Sequence, residues 1–138
     1  VSHVATVDVV IKDLDCLQKA AESLGLVFNR DAKTFYSYQS GLTCDHSLSV
    51  KEKQANPNRR PYEIGVVKGE GGYSLQFDPF NHGYGLCPYI ESEPAKGDAG
   101  KLVQAYALEV AKKQARMQGF LVREVRAANG AVTLTLSR

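Results

Sequence analysis

Cys44-x-His46 and His82-x4-Cys87 each pair a thiol with an imidazole, the ligand types that zinc takes in tetrahedral sets. Brought together, the four side chains would hold the ion, although neither spacing is that of a zinc finger or ribbon. The alternative is a buried thiol and an exposed imidazole in each loop. Cys16 falls in the first turn of an expected helix, where the dipole lowers a thiol pKa; a small buried side chain is the other reading. Nucleophilic catalysis needs a Ser or Cys beside an oriented His. Asp45 and His46 are neighbours only in sequence, and Asp78, His82 and Glu91 have only their types and a long loop in common. Gly69-Glu70-Gly71-Gly72 joins two strands, carries a carboxylate and lacks the Lys-Ser/Thr ending of a phosphate loop. No catalytic residue, metal or cofactor is assigned, and a non-enzymatic role is expected.

Charge bears on nucleic acid. Lys and Arg total 17 against 15 Asp and Glu, a formal charge of +2, so there is no whole-molecule attraction to a phosphate backbone or an anionic membrane. Local charge exists at Lys51, Lys53, Arg59 and Arg60, and rings at Phe35, Tyr36, Tyr38, Tyr73 and Phe77 could stack single-stranded bases on an open sheet face. A single-stranded nucleic-acid binder is therefore the second reading. The first is protein binding. The Gly- and Pro-rich stretch from Pro79 to Gly100 carries Phe80, Tyr84, Leu86, Tyr89 and Ile90, apolar side chains that need cover from this domain, a second copy or another protein. An enzyme with an unrecognised site ranks third.

The elements that position these residues follow from periodicity. Tyr62 to Asp78 alternates Tyr62, Ile64, Val66 and Tyr73, Leu75, Phe77 about the glycine turn, which predicts a β-hairpin. Val4 to Ile11 predicts a first strand, with Val7, Val9 and Ile11 on one face. Asp13 caps a helix whose stripe is Leu14, Leu17, Ala21 and Leu24, and Gly25 ends it. Strand character resumes at Leu26 to Asn29 and at Thr34 to Tyr38, with a short strand at Ser47 to Lys51. The polar run from Lys51 to Arg60 reads as a solvated loop. Asp98 caps a second helix, Ala99 to Gln118, with Leu102, Val103, Tyr106, Ala107, Val110 and Met117 on one side. Phe120 to Arg126 and Val132 to Ser137 flank Asn129-Gly130 as a terminal hairpin.

This order predicts one α+β domain over 1–138, with loop excursions near 39–61 and 79–100. Two helices cover one face of a mainly antiparallel sheet in a ferredoxin-like or related split β-α-β arrangement. No apolar run approaches the ~20 residues of a membrane span and no secretory leader is visible, so a cytoplasmic setting is expected. Three widely spaced cysteines fit reduced thiols.

Ser2-His3, Lys12-Asp13-Leu14, Tyr62-Glu63-Ile64-Gly65, Gly72-Tyr73-Ser74-Leu75, Gln104-Ala105-Tyr106-Ala107, Gly119-Phe120 and Asn129-Gly130 occur in an order that resembles one family. It is the conserved chloroplast reading frame thirty-five family, or domain of unknown function twelve fifty-seven, of cyanobacteria, plastids, other bacteria and tailed phages. Val4 stands where that family has an aromatic, its tryptophans after the central hairpin are missing, and Cys87 to Lys96 is an added stretch. The resemblance implies a cytoplasmic protein, phage-encoded in some settings, acting as an accessory subunit beside an ATPase of the AAA+ type. It implies no reaction and no catalytic residues.

Overall fold

The computed structural model describes residues 4–52, 60–93 and 97–138. Five strands form one antiparallel sheet: Ala5–Ile11 (β1), Leu26–Asn29 (β2), His46–Val50 (β3), Ile64–Gly69 (β4) and Gly72–Phe77 (β5). Their spatial order is β1-β5-β4-β3-β2, every neighbouring pair antiparallel. Four successive reversals leave β1 and β2 pointing the same way at opposite edges. The helix between them, Leu14–Ser23 (α1), therefore crosses the full sheet. Three strands split this β-α-β unit, so the arrangement is a related one and not the ferredoxin-like order, where a single strand does so.

Alternation decides which side chains meet the helices. Val7, Leu75, Val66, Ile64 and Leu48 share one sheet face through the ladder pairs and are buried. Leu17, Ala20 and Ala21 of α1 join them, with Leu102 and Tyr106 from Gly100–Met117 (α3). Leu24 and Val110 pack at the margin of this core. The opposite face carries the cross-sheet row Thr6, Gln76, Gly65, Ser47 and Asn29, small and polar. At its centre the buried Phe35 ring lies on Gly65, where any Cβ would collide with it.

Thr34 to Tyr38 forms no ladder strand, only a bridge from Thr34 to Thr43. Its polar groups go elsewhere: Phe35 N–H donates to the Leu42 carbonyl and Glu63 N–H to the Tyr36 carbonyl. The 39–61 excursion contains β3, and most of the loop expected over 51–60 lies outside the described residues. The segment after β5 is more ordered than its glycines suggest. A turn at Phe80–Gly85 and a short helix, Cys87–Ile90 (α2), lead toward α3. Ala99, with φ 50, occupies the N-cap position of α3, and Asp98 reaches past it to accept from Gly100 N–H at 3.0 Å.

The terminal strands Leu121–Arg126 (β6) and Val132–Ser137 (β7) form a separate two-stranded sheet. Lys112 of α3 holds it, with Nζ 2.6 Å from Glu109 and 3.1 Å from Glu124 of β6. The Glu109 hydrogen bond is the main reason the Lys112 pKa rises, and Lys112 in turn lowers that of Glu124.

Candidate docking groove

Between Val7 and Ile11 the β1 ladder breaks register: three β1 residues oppose Ser74 alone. The bulge pushes Val10 outward, 53% exposed, at the free edge of the sheet. Beside it runs α3, whose Tyr106, Ala107, Val110 and Ala111 form an apolar floor. Met117, expected in the core stripe, is 78% exposed and closes the far end. The helix turns its stripe only partly onto the core, so the rest of the apolar arc lines this groove of about 740 Å³.

Asp13 and Lys113 stand on the rim. Asp13 Oδ1 accepts from Cys16 N–H at 3.0 Å, capping α1, while Oδ2 takes the Lys113 ammonium. The Tyr106 hydroxyl accepts from Lys12 N–H at 3.0 Å and from Asp13 N–H at 3.2 Å, joining α3 to the β1–α1 corner. The Lys113 hydrogen bond, then the cap, hold the Asp13 carboxyl below its usual 3.8. A depressed folded-state pKa stabilises the fold above the unfolded value and loses that effect as pH falls through the folded one. Asp13→Ala is expected to cost about 0.5–2 kcal/mol at neutral pH. Urea titrations should show the gap to the wild type narrowing below pH ~4. A gap unchanged down to pH 2 would mean that the carboxylate charge does not contribute.

The groove residues were not among the sites expected from composition. The Val9-Val10 doublet, which breaks strict alternation, is the signal for the bulge. Of the expected partner-binding set, Leu86 and Ile90 are fully buried and meet the core, not a partner. Tyr84 and Tyr89 are half-buried against that core, with Tyr89 beside Gly25. Phe80 alone of the five is exposed. The cause is a left-handed turn: Asn81, His82, Gly83 and Tyr84 have φ of 49, 55, 60 and 53. Tyr62 N–H, entering β4, donates to the Gly83 carbonyl at 2.9 Å and pins the turn. The glycine- and proline-rich chain is thereby routed inward.

The metal-ligand candidates have other occupations. His46 is buried between Phe28 and Tyr73, and its Nδ1 accepts from Asp31 N–H at 2.9 Å. The Cys44 thiol donates to the Ala32 carbonyl. His82 is exposed and Cys87 buried. Among the described residues, no three His, Cys, Asp or Glu side chains gather as a ligand group. Burial, then Glu91, pushes the Cys87 thiol up to about 12. Burial, then Asp13, likewise raises the Cys16 thiol at the helix start, and burial, then Asp45, raises Cys44. Thiols shifted upward are poor nucleophiles. Asp78 and Glu91 are buried acceptors for Phe80 N–H and Gly97 N–H. Asp45 accepts from Lys68 N–H at 2.7 Å.

The nucleic-acid candidates are dispersed too. Phe35 and Phe77 are buried and Tyr73 lies on the core side; of the five candidate rings only Tyr38 is exposed, at 63%. Arg60 bonds Glu63 at 2.9 Å and lies over the Tyr36 ring at 4.4 Å. Lys51 is exposed; Lys53 and Arg59 fall outside the described residues. No helix among the described residues is long and apolar enough to cross a membrane. No family model, curated protein or solved structure matches the chain.

Proposed function

We propose that this protein is a non-enzymatic accessory or adaptor protein that binds a partner in the groove between β1 and α3. The observation that carries it is the apolar floor of α3 left open beside a bulged edge strand. Such a groove suits an apolar segment of another protein, seated by side-chain packing with Lys12 and Lys113 at its rim. The resemblance to the chloroplast reading frame thirty-five family nominates an AAA+ ATPase as that protein, in a cytoplasm, with a phage among the sources. Single-stranded nucleic acid is the weaker reading, because Arg60 is already paired with Glu63 and the Phe35 ring that lies on the open sheet face is buried.

Ala111→Glu tests the reading at an exposed groove position. The variant should keep the wild-type melting temperature and lose the proteins that the wild type captures from extracts of its source cells, an AAA+ ATPase among them. Equal capture by both would remove the groove from consideration. Submicromolar binding to labelled single-stranded RNA or DNA at physiological salt, abolished by Arg60→Ala, would replace the reading with the second one.

A further inference from the structure

We infer that β7 is a self-pairing edge, through which two copies of this chain join their terminal hairpins into one four-stranded antiparallel sheet. This goes beyond the groove and does not depend on it. Among the described residues neither outer edge of this two-stranded sheet pairs with another strand, so each presents a row of backbone N–H and C=O groups that an added strand can take up. The two edges are not equally protected. β6 carries Arg123, Glu124 and Arg126. From Ala127 to Ser137 there is no charged residue and no proline, the two devices that usually blunt an exposed edge.

The composition of β7 names the occupant. Val132, Leu134 and Leu136 lie on one face and Thr133, Thr135 and Ser137 on the other. Turn the strand about a twofold axis through Leu134 and it meets itself antiparallel. Leu134 then faces its own copy, Val132 faces Leu136, and Thr133 faces Thr135. Each pair joins like with like, apolar on one face and hydroxyl on the other, which are favourable cross-strand pairs. Leu136, 45% exposed in the single chain, gains cover from Val132 of the second copy. An isologous interface requires this self-complementarity. A charged or proline-bearing strand would not satisfy it.

Thr133 and Thr135 are exposed, so substitutions there test the pairing without touching the core. Sedimentation of the full chain over a concentration series should show a dimer of the 15.1 kDa protein. In Thr133→Lys/Thr135→Lys, lysines face lysines twice across the axis, and the dissociation constant should rise about tenfold or more. The Thr133→Glu/Thr135→Glu variant should weaken self-association likewise, and mixing the two variants should restore a mixed dimer. A wild type that stays monomeric overturns the proposal, as does a dimer indifferent to the lysines or a pair of variants that fails to combine. Retained partner capture by the lysine variant would show that groove and edge act separately.

Discussion

Gly72→Ala is expected to cost about 2–6 kcal/mol and to loosen β1 from the sheet. Gly72 has φ +152, a backbone state that costs an alanine about 1–3 kcal/mol. Its Cβ would also lie 2.6 Å from the Ile11 carbonyl oxygen and 2.8 Å from Val10 Cγ1. The first of these is backbone, so relief requires β1 to move, and forced overpacking adds about 1–3 kcal/mol. Gly71→Ala is the control. Gly71 also has a positive φ, 81, but nothing lies within 4 Å of a Cβ there. Urea denaturation should rank Gly72→Ala well below Gly71→Ala. Amide exchange at Ile11, paired with Tyr73, should accelerate only in the former. Equal losses would mean that the close approach of β1 contributes nothing. The result matters for function because the same contact positions Val10 as the wall of the groove.

The parts of the fold legible in the sequence are those where local pattern and tertiary burial agree. Tyr62 to Asp78 alternates cleanly, and it forms β4 and β5 about Glu70-Gly71. Asp13 and Gly25 bracket α1, and Asn129-Gly130 lies in the turn of the last hairpin. Thr34 to Tyr38 has the composition of a strand, but among the described residues it pairs only through the Thr34–Thr43 bridge, and it lays Phe35 on Gly65. Asn and His enter left-handed backbone more readily than most residues, but nothing in the sequence announces a run of four such residues, Asn81, His82, Gly83 and Tyr84. Helical spacing places Ala107 and Met117 on the side of Leu102. It does not say how far round the helix the sheet reaches, and that distance makes the groove. Strand order is illegible for a similar reason: each strand shows which face is apolar, not which neighbour it takes.

Leu86→Ala and Phe80→Ala separate the inward and outward parts of the segment after β5. Both were candidate contacts for a partner, since apolar residues amid glycine and proline have no regular element to point them inward. The left-handed turn supplies that direction. Leu86 follows it, donates its N–H to the Gly83 carbonyl at 3.4 Å and is completely enclosed with Cys87 and Ile90. Truncating a leucine so placed costs about 2–5 kcal/mol, the transfer term plus the cavity left behind. Phe80 is 47% exposed, its ring centroid 6.4 Å from that of Tyr84, and its loss should cost under about 1 kcal/mol. Thermal and urea unfolding of the two variants give both numbers. If Leu86→Ala proves nearly neutral while Phe80→Ala is costly, the segment packs the other way round, and its leucine returns to the list of surface contacts. If the expected order holds, partner capture by Phe80→Ala becomes the informative measurement. Loss of capture at full stability would extend the docking surface from the groove to this turn, and unchanged capture would confine it to β1 and α3.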